Sequence, residues 1–304
     1  MARVSRDRIT NPSLYVLSSV QSSWVIFVSS NVPPYFGPMI DAFHQGNHGR
    51  FVHLGHWDIP PKHARQVTPA EFEVAQQNLS DTLIDMAHIN DHASVLDVGC
   101  GFGGTIEQLN QRTTRTQLTG LNIDPRQLAI CSTIKPRNHN QLTWIEADAC
   151  EIPFPPCSFD RLLCIEAMFH FASRACFLSQ AARVLRPGGI LVASDIVVDW
   201  QRLSCHPRAD EISKTLIDEY GPWPELCLPP TDFVTAASDN DFHLDVLHDA
   251  TVNTAPSHDF TAPGPARLVL NPQGKIVSAA HCLKYLHADG LLKYVYLKLI
   301  KSNS

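Results

Sequence analysis

Between residues 94 and 198, short apolar segments alternate with segments of helical periodicity. The predicted strands are Ser94–Val98, Gln117–Ile123, Leu142–Ala147, Phe159–Ile165 and Ile190–Val198. The predicted helices are Thr105–Arg112, Pro125–Ile134 and Ser173–Leu185. Apolar strands separated by helices of about ten residues indicate a parallel sheet that is covered on both faces. We therefore predict an α/β fold with a doubly wound, Rossmann-like sheet, whose ligand site lies beyond the carboxyl ends of the strands.

Together with its flanking sequence, this pattern divides the chain into four predicted segments. They are an N-terminal lid or arm (1–66), the cofactor-binding core (67–199), a cap inserted after the fifth strand (200–241) and a C-terminal part (242–304). A helix should begin at Pro69 and run to about Ile89, because Thr68 and Glu71 form a capping box. Two late strands, Phe242–Thr254 and Leu292–Ile300, with a helix near Lys275–His287 between them, would complete a seven-stranded, mostly parallel sheet.

Both flanking segments leave their role open at this stage. The insertion is rich in Pro and carries large apolar residues that could cover the cleft or simply pack within the insertion: Trp200, Trp223, Leu226, Leu228 and Phe233. Residues Leu14–Met39 could form a helix that shields the active site, or an arm exchanged within a homo-oligomer.

The segment Val95–Gly104 is the sharpest local signal, because a strand there runs into a glycine-rich turn. Without a Cβ, such a turn lets the backbone approach a nucleotide-like ligand closely. Its glycines also fit the dinucleotide pattern G-x-G-x-x-G, so an NAD-dependent oxidoreductase is an alternative. That alternative expects an acidic ribose ligand at the end of the second strand, where Asn122 stands. It also gives no role to Asp97, whose charge suits a cofactor that carries an ammonium and a sulfonium.

Two further motifs follow the glycine turn in order. Glu146–Ala149 places a carboxylate, Asp148, at the tip of the third strand, and Leu185–Gly189 is a sharp turn before the fifth strand. From about Val95 to Val198, this ordered set resembles the class I S-adenosylmethionine-dependent methyltransferases. The resemblance is closest to the small-molecule branch, which methylates quinones, tocopherols, sterols, isoprenoids and antibiotic scaffolds.

Two segments outside the core support that branch. Phe51–Trp57 looks like its N-terminal lid motif, in which an aromatic pair follows His-x-Gly. Gly290–Lys301 looks like its terminal strand segment. The resemblance implies S-adenosyl-L-methionine as the cofactor, S-adenosyl-L-homocysteine as its product, and a small, hydrophobic methyl acceptor as the partner.

The resemblance also assigns residues to the cofactor site. They are His56, Trp57, Asp97, Gly99, Gly101, Asn122, Ile123, Gln127, Asp148, Ala149 and Glu166. Asp97 and the first glycines of the turn would hold the methionine end, and His56 with Trp57 would close over the cofactor. His56 stands where the family usually has Tyr.

The ribose and adenine assignments depend on the ends of the second and third strands. Asn122 replaces the acidic residue that usually binds the ribose hydroxyls, which predicts a weaker contact. Ile123 would pack on the adenine face, while Asp148 and Ala149 would bind the adenine edge through an accepted and a donated hydrogen bond.

The segment Glu166–Phe171 follows the fourth strand and should face the methyl acceptor. His170 is the predicted general base, because its ordinary pKa lies near neutrality. Glu166 would orient His170 or contact the acceptor. His170 could instead be a hydrogen-bonded residue of a strand–helix junction, and in-line positioning alone can suffice for methyl transfer. The sequence leaves C-, O- and N-methylation open, as well as a cofactor-binding protein without turnover.

Charge and composition exclude several other classes. A net charge of −6 and scattered Lys and Arg argue against a nucleic-acid partner, as does the lack of a proline–aromatic tetrad after the fourth strand.

The nine Cys show no metal-binding CxxC spacing and fit free thiols in a reducing cytoplasm. Four early histidines invite a metal hypothesis, but the glycines between them argue against it, so no metal is predicted: His44, His48, His53 and His56. The apolar stretch Leu14–Ser30 is too short and polar to span a bilayer.

Overall fold

A single mixed sheet forms the centre of the structure, a computed structural model that describes residues 32–60, 66–227 and 232–303. These residues belong to one compact unit, Asn31–Ser304. In the described ranges the strands are β1 Ser94–Val98, β2 Gln117–Asn122, β3 Gln141–Glu146, β4 Phe159–Ile165, β5 Leu185–Val198, β6 Phe242–Asp249 and β7 Leu292–Lys301. Most of the predicted segment Leu14–Met39, and the cap residue Leu228, lie outside the described residues.

The strand order is β3-β2-β1-β4-β5-β7-β6. Strand β7 runs antiparallel to both of its neighbours, and β1 to β5 pair in parallel. The prediction of a doubly wound, seven-stranded and mostly parallel sheet is thereby confirmed. Its two faces are covered by two separate apolar clusters, each built from strand residues and the helices packed on them.

Helices flank the sheet and its carboxyl edge. Within the described residues they are α1 Phe36–His44, α2 Pro69–Ala87, α3 Gly104–Arg112, α4 Pro125–Cys131, α5 Arg174–Val184, α6 Trp200–Leu203, α7 Ala209–Tyr220, α8 Phe233–Ser238, α9 Thr251–Thr254, α10 Ser257–Thr261 and α11 Ala279–Ala288. The capping box of α2 is present as predicted: Thr68 Oγ1 accepts from Glu71 N, and Glu71 Oε2 accepts from Thr68 N. Helix α1 lies within the predicted N-terminal lid or arm and overlaps the end of the segment Leu14–Met39, for which the sequence left a helix open.

Two strands differ from their predicted bounds by five residues, whereas β2, β3 and β7 differ by one residue at one or both ends. Strand β5 already starts at Leu185, which pairs with Phe159, because the predicted turn is absorbed as a bulge before Ile190 pairs with Arg161. Strand β6 ends at Asp249 rather than continuing to Thr254, since Asp249 Oδ1 accepts from Thr251 N at 3.1 Å and a short helix follows.

The connections after β5 and β6 leave the sheet at the same edge. Strand β6 is antiparallel to β7, which is antiparallel to β5, so β6 runs in the direction of β1 to β5. Residues 199–241 and residues 250–291 therefore both leave from the carboxyl edge, and α7 from the first packs against α11 from the second. The predicted cap insertion thus has a companion between β6 and β7, which the sequence pattern does not predict.

Two kinds of feature are absent from the described residues. None of the helices there combines the length and apolar character that crossing a bilayer requires. Nor do three or more His, Cys, Asp or Glu side chains in the described ranges come together as potential metal ligands.

Candidate active site

The glycine turn after β1 is held by the neighbouring strand, because Gly99 N and Cys100 N both donate to Leu121 O. Gly99 and Gly101 have φ of 75° and 54°, a left-handed conformation that favours glycine. A Cβ on Gly101 would lie 2.5 Å from Val52 Cγ2. Because glycine has no side chain, another part of this chain can pack directly on the turn.

That part is Arg50–Leu54, which we call the covering segment. Arg50 anchors it by donating to Phe102 O at 3.1 Å and by pairing with Glu107 at 3.0 Å. Gln76 of α2 donates to the carbonyl oxygens of Phe51 and His53 at 3.1 and 2.7 Å. The covering segment is therefore fixed to both α2 and α3.

His56 and Trp57 lie away from the glycine turn. His56 Nδ1 is 2.8 Å from Tyr296 Oη, and its backbone N–H donates to Ala75 O. Trp57 N donates to Asn253 O, Trp57 O accepts from the Asn253 side-chain Nδ2, and the indole stacks on Phe72. Other elements hold both side chains, and their covering of the cofactor stays a prediction; Val52 of the covering segment is the residue that packs on Gly101.

Asp97 lies beneath the covering segment at the end of β1. Its side chain is 2% exposed, and within the described residues its Oδ2 atom has no hydrogen-bond partner. Burial raises the pKa of this carboxyl to about 7. A gap of about 10 Å³ separates Asp97 and Gly99 from the covering segment. An unpartnered buried carboxyl is costly and indicates that a ligand supplies the missing donor.

A second unpartnered group lies at the end of β2. Asn122 Oδ1 accepts from Asp124 N, and Asn122 Nδ2 donates to Gln127 Oε1 at 2.9 Å. The side chain of Asn122 is thus used within the protein. Gln127 is fully buried, and its Nε2 atom has no partner among the described residues. Gln127, one of the predicted cofactor residues, therefore carries an unpartnered donor next to Asn122.

The predicted adenine residues follow β2 and β3. Ile123 is half-buried directly after β2, and Ala149 is buried after β3. Asp148 is half-buried and uses Oδ1 to accept from Cys150 N at 2.8 Å. Since β1, β2 and β3 are adjacent and parallel, Asp97, Asn122 and Asp148 follow one another along one edge of the sheet. That arrangement matches an elongated ligand.

A cavity of about 200 Å³ lies on the other side of the covering segment. Phe51, Val52 and His53 line both this cavity and the gap beside Asp97. Most of its wall is apolar, and its aromatic residues include Tyr35, Phe72, Phe169, Tyr220, Trp223 and Phe260. Of the predicted cap residues, Trp223 lines the cavity, whereas Trp200, Leu226 and Phe233 pack in the apolar clusters of the sheet faces.

Glu166 is the acidic side chain in this cavity. Its Oε2 atom accepts hydrogen bonds from Leu54 N at 2.8 Å and from Tyr294 Oη at 2.7 Å. Burial raises the pKa of Glu166 to about 7, although these two hydrogen bonds act in the opposite direction. Glu166 also has a φ of 50°, so the backbone turns sharply where β4 ends. Glu166 therefore joins the covering segment to β7 and faces the space for an acceptor.

His170 is half-buried and does not line this cavity. Its Nδ1 lies 2.8 Å from Pro222 O, and its Nε2 lies 3.2 Å from Tyr35 Oη. A carbonyl can only accept, so Nδ1 carries the proton and Nε2 accepts from Tyr35. Burial lowers the pKa of His170 to about 4. His170 can thus act on an acceptor only through Tyr35, and its role as general base stays a prediction.

Sequence comparisons match the same part of the chain. Residues 96–193 match a family model described as a methyltransferase domain. The chain is 33% identical over 149 residues to methyltransferase GfsG of Streptomyces halstedii, covering 48% of this chain and 51% of that protein. It is 31% identical over 152 residues to the 27-O-demethylrifamycin SV methyltransferase of Amycolatopsis mediterranei, covering 49% and 53%. The match therefore spans about half the length of these two relatives.

Structural comparisons extend over most of the chain. The geranyl diphosphate C-methyltransferase from Streptomyces coelicolor A3(2) has a TM-score of 0.64 at 16% identity, covering 88% of this chain and 98% of that chain. The [4+2]-cyclase SpnF has a TM-score of 0.62 at 19% identity, covering 88% and 93%. At these identities the likeness shows the fold. Together, the comparisons show that residues 96–193 resemble a methyltransferase domain in sequence and that the chain shares its fold with these solved structures.

Proposed function

We propose that this chain binds S-adenosylmethionine and transfers its methyl group to a small, mainly apolar acceptor. The observation that carries the proposal is the buried, unpartnered carboxyl of Asp97 between the glycine turn and the covering segment. A ligand ammonium would supply the missing donor and the opposite charge at once. A pyrophosphate would instead repel this carboxylate, which disfavours a dinucleotide.

The other predicted residues fit the remaining parts of the cofactor. Gln127 Nε2 would donate to a ribose hydroxyl, in a position prepared by its bond to Asn122. Ile123, Asp148 and Ala149 would surround the adenine. When bound, the cofactor supplies a methyl group activated by a sulfonium. The covering segment would then exclude water from this group, because it closes directly on the glycine turn.

The acceptor would occupy the cavity that Glu166 and Trp223 line. Its apolar wall favours a hydrophobic or aromatic molecule, held mainly by burial of its surface. The name of the Amycolatopsis relative specifies an O-methyltransfer, which favours a hydroxyl as the methylated group. We also retain the predicted segments 1–66, 67–199, 200–241 and 242–304, a cytoplasmic location, and the absence of a nucleic-acid partner as parts of this proposal.

Isothermal titration calorimetry tests the cofactor. We expect S-adenosylmethionine and S-adenosylhomocysteine to bind with micromolar affinity, and Asp97→Ala to weaken binding by at least tenfold. The control variant is Asp160→Asn, which removes a carboxylate from the start of β4, where Asp160 pairs with Arg186. It should leave the affinity unchanged.

NAD serves as the control ligand in the same experiment. Binding of NAD without either sulfur compound would overturn the proposal in favour of an oxidoreductase. Binding of the sulfur compounds with equal affinity to wild type and Asp97→Ala would show that Asp97 is not the ammonium ligand. Methyl transfer itself is then measured as S-adenosylhomocysteine release with candidate acceptors.

A further inference from the structure

Two histidines form a hydrogen-bonded pair beside the acceptor cavity. His258 Nε2 lies 2.8 Å from His287 Nδ1, and His287 Nε2 lies 2.6 Å from the carbonyl oxygen of Thr251. The carbonyl can only accept, so His287 carries its proton on Nε2 and must accept at Nδ1. His258 therefore carries its proton on Nε2. This order leaves His258 Nδ1 as an unprotonated acceptor.

That acceptor atom is available to a ligand. His258 is 3% exposed to solvent and lines the cavity. In the described part of the chain, no group forms a hydrogen bond with its Nδ1 atom. Nδ1 is not one of the solvent-inaccessible unpartnered polar atoms of the described residues, so a donor on a ligand in the cavity can reach it and form a hydrogen bond.

The charged groups around the pair keep it neutral. Burial, His287 and the ammonium of Lys284 all lower the pKa of His258, to about 3. Lys284 is itself held by Asp259 at 2.8 Å and by two carbonyl oxygens. Burial lowers the pKa of His287 as well, although its bond to Thr251 O and the nearby carboxylate of Asp249 oppose this.

The other histidines that line the cavity are less suitable. His53 uses both ring nitrogens, on Leu54 O at 2.7 Å and on Ser80 Oγ at 3.1 Å. His48 bonds Gly49 O through Nδ1, but its side chain is only half-buried. His258 thus combines a free ring nitrogen with a water-poor position.

We propose that His258 Nδ1 accepts the hydroxyl proton of a small aromatic acceptor, and that His287 is the positioning residue that keeps this nitrogen free. The inference deepens the proposed methyl transfer and rests on it. Aromatic side chains dominate the cavity wall, and its volume of about 200 Å³ suits one or two fused rings. The hydroxyl is the feature that distinguishes a true acceptor from an apolar molecule of the same shape.

In the chemical step, the acceptor oxygen forms a bond to the methyl carbon while the carbon–sulfur bond breaks. The electron pair of the broken bond returns to sulfur and gives a neutral thioether. The hydroxyl proton moves to His258 Nδ1, and the proton on His258 Nε2 passes to His287 Nδ1. The positive charge thereby leaves the neighbourhood of Lys284 and comes to lie on His287, nearer Asp249.

The first test needs neither cofactor nor acceptor. In the full chain labelled with ¹⁵N-histidine, long-range ¹H–¹⁵N spectra at pH 7 should show His258 protonated at Nε2 and unprotonated at Nδ1; loss of the signal in His258→Phe assigns it. His287→Leu should lose this preference, whereas His287→Gln should keep it because an amide oxygen can accept from Nε2. A proton on Nδ1 in the wild type, or a preference unchanged in His287→Leu, would overturn the proposal.

The second test uses 2-naphthol and its methyl ether, 2-methoxynaphthalene, as probes, with and without S-adenosylhomocysteine. The wild type should bind 2-naphthol roughly tenfold more tightly than the ether and should show a shifted Nδ1 resonance with 2-naphthol alone. His258→Phe should abolish this preference, while the matched variant His48→Phe should keep it.

Equal binding of the two probes to the wild type, or binding of neither, would overturn the proposal. Loss of the preference in His48→Phe rather than in His258→Phe would do the same. These outcomes are independent of the cofactor titration. If S-adenosylhomocysteine fails to bind while 2-naphthol binds selectively through His258, the methyl-transfer proposal fails and the acceptor-site assignment stands.

Discussion

At the scale of single residues, the site is built from buried acids whose desolvation is unfavourable in the free protein. Burial raises the pKa of both Asp97 and Glu166 to about 7. Glu166 accepts two hydrogen bonds, whereas Asp97 Oδ2 has no partner within the described chain. Such unpaired groups are typical of sites where stability is exchanged for ligand binding. Replacing Asp97 should therefore raise the stability of the free protein and weaken ligand binding at the same time.

Asp97→Asn should stabilise the free protein at high pH. The carboxyl titrates at about 7 in the folded chain against 3.8 ordinarily, so folding favours its protonated form. In the wild type, Asp97 therefore lowers the free energy of unfolding only when it is ionised. This destabilisation is absent below pH 4, grows as the pH rises and is complete above about pH 7. Urea denaturation at pH 8 should show a gain on the order of 2–4 kcal/mol, and at pH 4 almost none.

Asp160→Asn provides a control of opposite sign. Burial alone would raise the pKa of Asp160, but hydrogen bonds from Arg186 and Ser94 N outweigh it and lower the pKa. This variant should therefore lose stability at pH 8 and lose less at low pH. If both variants changed stability in the same direction at pH 8, the unpaired state of Asp97 would be refuted.

Cofactor affinity should depend on pH through the same group. An ammonium binds the ionised form of Asp97, so binding below pH 7 first has to remove a proton. Calorimetry with S-adenosylhomocysteine should show affinity falling about tenfold per pH unit between pH 7 and pH 5. The slope should vanish in Asp97→Asn. A wild-type affinity that stays constant over this range would contradict the assignment.

At the scale of elements, the covering segment depends on α2. Gln76 projects from the buried face of this helix and donates to two carbonyl oxygens of the segment. The capping box at Thr68 fixes where α2 begins and so sets the position of Gln76. The closure over the glycine turn is therefore controlled by a helix that contributes no predicted ligand of its own.

Gln76→Met should loosen the covering segment. The change leaves the carbonyl oxygens of Phe51 and His53 without their donor, at a cost of about 1–3 kcal/mol. Hydrogen exchange followed by mass spectrometry should show faster exchange in peptides that span residues 50–55. The control Gln77→Met changes an exposed neighbour on the same helix and should have no effect. Equal exchange rates in both variants would argue against this anchor.

At the scale of the whole molecule, a buried ion cluster joins the cap to the sheet. Arg174 of α5 pairs with Asp195 of β5 at 2.6 Å and with Glu225 of the cap at 2.7 Å. It also donates to Ile196 O. Residues far apart in the chain thereby meet behind the acceptor cavity, and the wall that contains Trp223 is held to the core.

Arg174→Met should destabilise the fold strongly. It leaves Asp195, which is fully buried, without its partner, and such losses cost about 3–5 kcal/mol. Arg112→Met removes a more exposed arginine that pairs with Asp81 and Asp85, and should cost about 1 kcal/mol or less. Urea denaturation at pH 7 measures both. A loss in Arg174→Met no larger than that in Arg112→Met would show that the cluster contributes little.

The sequence by itself determined the sheet and its cofactor edge. Strand periodicity, the capping box and the glycine turn act over short distances, so β1 and β4 match their predicted bounds. For the same reason, the place of Asp97 at the end of β1 follows from the sequence pattern alone. Which covering residues reach that edge could not be predicted, because it depends on the path of residues 50–57 against α2.

Only the tertiary structure decided the acceptor side. It brought together Tyr35, Glu166 and His258 from three distant parts of the chain, and it showed that His170 contacts Tyr35 instead of the cavity. No local motif marks His258, since its free nitrogen results from a hydrogen bond to His287 on another helix. Local periodicity fixes elements, whereas burial and the choice of hydrogen-bond partner arise only when those elements pack.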